Sequence, residues 1–461
     1  MIDVAIIGGG PGGYTTAIRL HQLGFAPVVF ERERLGGTCL NRGCIPTKTL
    51  VRSAEVFTLI KNAADYGLSA DNPGIDFGAI YARKDKVIEQ LVAGVEFIFR
   101  KRGIEVINRK VTGLSRNGDG WSIEMGDDSH QARTVVLATG SRPTPLPFMR
   151  FDGKRVLSSS GILRLRSLPA SLAVIGGGVI GCEFAAIFAA LGTKVTIIEF
   201  LPRLVSTEDE EISKRLATAL KKSGVKVHLK AGVESAEHTD DGVILSLSNG
   251  KSVEAQKALL SVGRGAHLGF EVEGLTMDRS AVMVDDDMRA NLPGLYAVGD
   301  LTGRMMLAHV ASAQGLRLAE VLRALRDGDQ PATPPLAYEN IPRCTFTHPE
   351  IGSVGLTETQ ARERHGDGVR VGKFQFNANG KALGLGEAFG FVKTIAAPDD
   401  TLVGMHILGP QATELIAEGA ALVQSGMKAA ETAHLVHAHP TLAESLLESI
   451  EDLHGMAVHK I

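Results

Sequence analysis

Cys39 and Cys44 stand five positions apart in the segment Gly36-Gly37-Thr38-Cys39-Leu40-Asn41-Arg42-Gly43-Cys44-Ile45-Pro46-Thr47-Lys48. Glycine, proline and threonine around the pair let the chain bend enough for two sulfurs at this spacing to bond. The pair reads either as a redox-active disulfide or as two buried structural thiols. A zinc site would want further cysteine or histidine ligands at close spacing. Cys182, in a predicted helix, and Cys344, far along the chain, do not supply them, and no metal is expected. A second reactive group sits near the other end, in His437-Ala438-His439-Pro440-Thr441-Leu442-Ala443-Glu444. A thiol attacks only as its thiolate, so thiol–disulfide exchange wants a base. Histidine titrates near neutrality, and a carboxylate can hold its tautomer. His439, with Glu444 five residues on, is the candidate base, and His437 is its rival.

Two glycine-rich turns supply a different chemistry. Gly8-x-Gly10-x-x-Gly13 follows a short β-branched run and opens a helical pattern, and Glu31 lies eighteen positions after its last glycine. The first glycine permits a tight turn, the second lets the backbone approach a pyrophosphate, and the third lets helix and strand pack closely. The helix N-terminus then offers N–H donors to phosphate, and the acidic residue can accept from a ribose hydroxyl. Gly176-x-Gly178-x-x-Gly181 repeats the pattern, with Glu199 again eighteen on. A carboxylate here suits the 2′-hydroxyl of NAD and repels the 2′-phosphate of NADP, which wants arginine. Only Arg203 is basic among the next few residues, so NAD is expected over NADP. Two dinucleotide sites in one chain imply an electron path between two cofactors, most plausibly FAD and NAD(H); the pattern alone does not say which site holds which.

The elements that position these groups form two β-α-β units. Strand patterns at 4–7 and 28–31 flank a helical pattern at 14–23; strand patterns at 172–175 and 194–199 flank one at 183–191. Gly8, Gly10, Gly13 and Glu31 map onto Gly176, Gly178, Gly181 and Glu199 with a constant displacement of 168 positions, an internal repeat at domain scale. Each unit is followed by an apolar strand ending in glycine, at 135–140 and 259–263. Proline-rich stretches at 143–147 and 328–335 read as linkers. The tail beyond them mixes strands at 390–395 and 402–408 with helices at 412–425 and 442–454, a separate α+β domain. At roughly 100–200 residues per domain, a chain of 461 residues holds about three.

A net charge of −3 gives no reason to expect nucleic acid or an anionic membrane as partner. No apolar run is long enough to span a bilayer, and the start lacks a basic segment before its apolar stretch, so a cytoplasmic protein without a signal peptide is expected. Four cysteines are too few for a disulfide-stapled secreted scaffold.

The cysteine segment, together with Ala138-Thr139-Gly140 and Gly294-Leu295-Tyr296-Ala297-Val298-Gly299-Asp300, resembles the class I pyridine nucleotide–disulfide oxidoreductases over essentially the whole chain. The resemblance implies an α/β fold with two Rossmann-like dinucleotide-binding domains and a C-terminal α+β dimerisation domain. FAD would occupy 1–146 with the central segment 267–335, NAD would occupy 147–266, and 336–461 would form the dimer interface. Thr38, Thr139, Gly140, Asp300 (on the ribityl chain), Ala308 and His309 would join Gly8, Gly10, Gly13 and Glu31 at FAD; Val179 and Gly263 would join Gly176, Gly178, Gly181 and Glu199 at NAD. Cys39 would be the interchange thiol, meeting substrate, and Cys44 the thiolate against the flavin. Lys48 would lie near flavin N5, with Glu183 as its partner. His439 and Glu444 would complete the active site of the other subunit, making an obligate homodimer.

Within that family, the His437–Glu444 run resembles the branch that oxidises dihydrolipoyl groups to the disulfide with NAD. Gly404-Met405-His406-Ile407-Leu408-Gly409-Pro410, the run 414–418, and Asn379-Gly380-Lys381-Ala382-Leu383 (Lys381 where arginine is usual) resemble it too. The partner implied is a lipoyl-bearing acyltransferase or carrier protein of a 2-oxo acid dehydrogenase or glycine cleavage system. Alternatives are an NAD(P)H-dependent reductase of another small disulfide, in the manner of glutathione reductase, and a non-catalytic docking component. Glu199, and Val179 where glutathione reductases carry tyrosine, weigh against the first; intact Cys39, Cys44, Lys48, Glu183, His439 and Glu444 weigh against the second. Two departures from the family pattern are Arg42, where an aliphatic residue is common, and Gly265-Ala266-His267.

Overall fold

The computed structural model describes residues 1–460, which form two compact bodies. The first gathers residues 1–50, 76–144 and 263–336. Its β-branched segments Ile2–Ile7 and Pro27–Phe30 make adjacent parallel strands, buried at their centres. The seven-stranded sheet runs Glu105–Ile107, Pro27–Phe30, Ile2–Ile7, Asp128–Leu137, Gly120–Met125, Gly113–Asn117, and Leu295–Ala297 adds in parallel to Asp128–Leu137. Parallel pairing demands a crossover, and the helix Pro11–Gln22 provides it between the first two strands. That helix starts earlier than the pattern at 14–23 suggests. Gly12 and Gly13 are weak helix formers, but Gly10 caps the end and Pro11 takes the first helical position, where its missing N–H costs nothing.

The second body holds residues 51–75, 145–262 and those from 337 onward. Residues 51–75 include the far end of the helix Cys44–Lys61, and within this body Tyr66 Oη donates to the Leu385 carbonyl at 2.8 Å. A five-stranded parallel sheet runs Lys226–His228, Lys194–Ile198, Ser171–Ile175, Lys257–Leu260, Val156–Leu157. The helix Val179–Ala190 crosses between its central strands and is buried almost all round, as its apolar sequence requires. A second sheet, fully antiparallel, runs Arg343–Thr345, Glu350–Gly355, Leu402–Gly409, Phe391–Ala396, Arg370–Gln375. The helices Ala412–Gln424 and Glu444–Glu451 supply its apolar cover. The pattern at 442–454 is not one helix. Residues 440–443 stay out because Glu444 bonds back to the Thr441 N–H, and Asp452–His454 tightens into a 3-10 turn.

One row of the antiparallel sheet carries polar residues on all five strands: Arg343, Ser353, His406, Lys393 and Lys373 are successive cross-strand partners. The acidic N-terminus of the helix Glu210–Lys222 docks on it. Arg343 meets Glu208 at 3.2 Å, Lys393 meets Asp209 at 3.0 Å, and Lys373 meets Glu211 at 2.7 Å. Glu358 adds a second carboxylate to Lys393 at 2.8 Å. Burial disfavours the Lys393 ammonium, but the Glu358 and Asp209 carboxylates outweigh it and hold the lysine above its ordinary range.

Candidate active site

The two fingerprints have the same backbone. Gly8 and Gly176 sit at φ +111° and +102°, conformations open to glycine. A Cβ on Gly13 would lie 1.9 Å from the Gly8 carbonyl oxygen, and one on Gly181 would lie 2.0 Å from that of Gly176. Gly10 and Gly178 cap their helices with nearly identical extended angles. A Cβ on Gly178 would meet nothing within 4 Å, so the turn is open to an incoming group. Glu31 Oε2 accepts the Gly9 N–H at 2.7 Å and Oε1 the Glu33 N–H at 2.9 Å. Glu199 does the same, with Gly177 N–H at 2.5 Å and Leu201 N–H at 2.6 Å. A carboxylate oxygen carries two acceptor sites, so each glutamate keeps lone pairs for ribose hydroxyls. Both cradles thus fit a dinucleotide: glycines clear the phosphate path, a helix N-terminus faces it, and a fixed carboxylate stands at the strand end. Val179 is the first residue of the second helix; Gly263, at φ +124°, belongs to the first body.

Beyond the first cradle the chain makes two consecutive helices, Gly37–Arg42 and Cys44–Lys61, broken at Gly43. A Cβ on Gly43 would crowd the Thr38 carbonyl oxygen at 3.0 Å, so glycine allows the tight break. Cys39 sits in the first helix. Cys44 opens the second, where the helix end favours negative charge. Both are reduced, with no disulfide between them, and they hydrogen-bond each other. The bond to Cys44, burial and the charge of Cys44 push the Cys39 thiol far above its ordinary range, with Lys48, one turn past Cys44, pulling the other way. Two thiols this closely coupled titrate as a pair, and a thiolate at either sulfur is stabilised by the hydrogen bond from the other. Arg42, next to the pair, is engaged in an ion pair with Glu33. Glu183 is buried on the helix Val179–Ala190 and accepts the Phe346 N–H at 3.0 Å.

Tyr14, Ser141, Arg264, Gln314 and Asn41 carried no role on sequence grounds. Tyr14, directly after the third glycine, lies close enough that burial and then Cys39 and Cys44 raise its hydroxyl. Asp300 accepts from Ser141 Oγ, and Ser141 is held in turn by Arg264, whose Nε reaches Ser141 Oγ and whose Nη2 reaches the Ser141 carbonyl, both at 2.8 Å. Burial lowers the Arg264 guanidinium, with Asp300 and Cys44 opposing. The departure at 265–267 is therefore no free loop: Arg264–Ala266 pairs with Ser141–Pro143, and the His267 carbonyl accepts from Thr139 Oγ1 at 2.7 Å. The turn at Gly140 is held from the other side, its carbonyl accepting the His267 N–H at 2.9 Å. Buried Gln314 fixes the Gly299 N–H at 2.6 Å beside Asp300. Ala308 and His309 open the helix Ala308–Asp327. Asn41 Oδ1, between the two cysteines, is buried with no partner while its amide donates to Leu35 and Gly37 carbonyls, an acceptor suited to a bound donor group. Only Tyr14 had a local signal, its place after the glycines.

In the second body, His439 Nδ1 meets Glu444 Oε1 at 2.8 Å, and Glu444 Oε2 accepts the Thr441 N–H at 2.8 Å. Burial pushes the Glu444 carboxyl up, but the Thr441 N–H and the His439 ring outweigh it and hold it below the usual carboxylate range. The carboxylate draws the imidazole proton to Nδ1, leaving Nε2 as a lone-pair base on a side chain 79% exposed. His437 differs. Its Nε2 faces Glu418 Oε1 at 2.7 Å and its Nδ1 faces the Leu435 carbonyl at 3.2 Å, so both nitrogens are committed to acceptors. Among the described residues no group of three or more His, Cys, Asp or Glu side chains could hold a metal, and no helix is long and apolar enough to cross a membrane.

Residues 2–315 match the family model described as pyridine nucleotide-disulphide oxidoreductase, and residues 341–450 match the dimerisation domain of the same name. A dihydrolipoyl dehydrogenase of Bacillus subtilis is 39% identical, covering 99% of this chain and 100% of its own length. One from Zymomonas mobilis is 37% identical, with 99% of each chain covered. Among solved structures, LpdA of Mycobacterium tuberculosis superposes with a TM-score of 0.88 at 26% identity, covering 98% of this chain and 100% of its own. The HOCl-induced flavoprotein disulfide reductase RclA of Escherichia coli gives 0.84 at 26% identity, covering 97% and 99%.

Proposed function

This chain belongs to the pyridine nucleotide-disulphide oxidoreductase family, and from that premise we propose that it catalyses the NAD-linked oxidation of dihydrolipoyl groups to the lipoyl disulfide, as an FAD-bearing homodimer. The observation that carries the reading is the thiol pair itself, two hydrogen-bonded sulfurs, Cys39 within one helix and Cys44 at the start of the next.

The first fingerprint, with Glu31, Thr38, Thr139, Gly140, Asp300, Ala308 and His309, would hold FAD on 1–146 and 267–335. The second, with Val179, Glu199 and Gly263, would hold NAD on 147–266, and 336–461 would form the dimer. Bound FAD supplies the two-electron relay between the thiol pair and NAD. His439 of the partner subunit, its Nε2 free, takes the proton of one dihydrolipoyl thiol. The resulting thiolate attacks Cys39 of the disulfide form. The Cys39–Cys44 bond breaks, and Cys44 departs as a thiolate stabilised at its helix N-terminus. The second substrate thiol then attacks the substrate sulfur of the mixed disulfide. The lipoyl ring closes, Cys39 leaves and takes a proton, and two electrons have passed to the cysteine pair. Lys48 and Glu183 would steady the charge near the flavin. A lipoyl-bearing acyltransferase or carrier protein in the cytoplasm is the partner this chemistry asks for.

The test is turnover of dihydrolipoamide with NAD, beside NADH or NADPH with glutathione disulfide. Dihydrolipoamide with NAD should be the fast pair, and Cys44→Ser should abolish it. Full activity of Cys44→Ser would refute the relay.

A further inference from the structure

We infer that Asn379 is a positioning residue for the base: its buried carboxamide fixes the backbone at Thr441, and through it the Glu444–His439 dyad. The ordinary reading of Asn379 is narrower. It precedes the helix Gly380–Leu385 and its Oδ1 accepts the Ala382 N–H at 2.9 Å, as a helix cap does. The other half of the carboxamide does something a cap does not require. Nδ2 donates to the Thr441 carbonyl at 3.0 Å and to Ser445 Oγ at 3.0 Å. Asn379 is 4% exposed, and its oxygen and both N–H groups are spent. The amide orientation is unambiguous, because a flip would set oxygen against the Thr441 carbonyl and NH₂ against the Ala382 N–H.

Thr441 is thus gripped from both sides. Its carbonyl receives Asn379 and its N–H donates to Glu444 Oε2, while Glu444 Oε1 receives His439 Nδ1. The exposed His439 ring gains little from packing. Its direction comes from Glu444, that of Glu444 from Thr441, and that of Thr441 from Asn379. The other titratable groups here are His437 with its partner Glu418, and His459, which pairs with Glu448 and also feels the Glu444 carboxylate. Ser445, the second acceptor of Asn379, lies fully buried beside Glu444 at the start of the helix Glu444–Glu451. One side chain therefore ties three points together: the helix Gly380–Leu385, the histidine loop, and the helix that carries Glu444.

The inference rests on His439 acting as the base. Wild-type enzyme inactive toward dihydrolipoamide would end that reading, whereas the comparison below addresses Asn379 alone. The variants are Asn379→Ser and Asn379→Asp in the FAD-loaded full-length dimer. Both keep an oxygen to cap the helix. Serine is too short to reach Thr441, and aspartate sets an acceptor against the Thr441 carbonyl. The expected result is a fall in kcat for dihydrolipoamide oxidation of about five- to tenfold, the worth of one hydrogen bond. The acid limb of its pH profile should move, with the NAD KM unchanged. NADH–ferricyanide turnover, which needs no thiol base, should stay within about twofold, well inside the worth of that bond. Combining Asn379→Ser with Glu444→Gln should slow the enzyme no further than Glu444→Gln alone. Wild-type kcat and pH profile in both variants would reduce Asn379 to a cap and overturn the inference. So would equal losses in both reactions, additive losses in the double variant, or loss of bound FAD, each of which marks a residue that only supports the fold.

Discussion

Replacing Glu199 by glutamine tests how the second fingerprint selects its coenzyme. The side chain is 8% exposed and already accepts the Gly177 and Leu201 N–H groups, one on each oxygen, so it is held in place and aimed. A 2′-phosphate about 5 Å away, at an effective dielectric of about 20, would be repelled by about 3 kcal/mol per unit charge. Losing the 2′-hydroxyl bond to a charged acceptor costs about 1.5–3 kcal/mol more. Arg203, the nearest basic residue after Glu199 along the chain, is engaged with the Ser206 carbonyl at 2.9 Å. The sum is about 5 kcal/mol, and after screening at the rim it should leave NAD preferred over NADP by about 10³-fold in kcat/KM. Glutamine keeps the shape but turns an NH₂ toward a backbone N–H and removes the charge. Glu199→Gln should raise the NAD KM by about 10–100-fold and shrink the preference to about tenfold or less. The assay is kcat/KM for each nicotinamide with dihydrolipoamide saturating, and flavin content checks that the first cradle is untouched. Wild-type enzyme using the two coenzymes within tenfold, or a variant that keeps the wild-type ratio, would refute the reasoning.

Two further perturbations probe the frame. Gly13→Ala places a Cβ 1.9 Å from the Gly8 carbonyl oxygen, a backbone atom that cannot rotate away, so the purified protein should lack visible flavin absorbance; a yellow protein with full FAD would contradict the cradle assignment. Lys393→Met leaves Asp209 buried without its cation and should cost about 3–5 kcal/mol, read as a lowered Tm. Adding Asp209→Leu should recover part of the loss, and a single variant as stable as wild type would show that the Arg343–Glu208 and Lys373–Glu211 pairs, not Lys393, hold this junction.

What could be read from the sequence was local. A fingerprint glycine is dictated by atoms a few residues away: Gly13 is glycine because Gly8 is folded against it, so spacing alone exposes the turn, the helix and the carboxylate that follows. The repeat of that logic at Gly176–Glu199 needed no tertiary information either. The thiol pair is similar, since Gly43 lets a short helix and a long one meet so that residues five apart touch. The remainder is assembled across distance. Ser141 and Arg264 are unremarked in their own segments, and they join Asp300 only because strand Arg264–Ala266 returns to Ser141–Pro143. Lys393 sits mid-strand in Phe391–Ala396 with nothing in that stretch to announce Asp209, 184 positions away.

The choice between His437 and His439 shows where sequence reasoning stops. Two histidines two residues apart have the same chemistry, and both have a glutamate available in the chain. They differ in which ring nitrogen is left over. Glu418, nineteen positions back on the helix Ala412–Gln424, takes the Nε2 of His437, and the Leu435 carbonyl takes its Nδ1. Glu444 takes only the Nδ1 of His439. A general base needs an unshared lone pair pointing outward, and only His439 keeps one. That distinction follows from where the helix Ala412–Gln424 lies against the histidine loop, and no spacing within the loop encodes it.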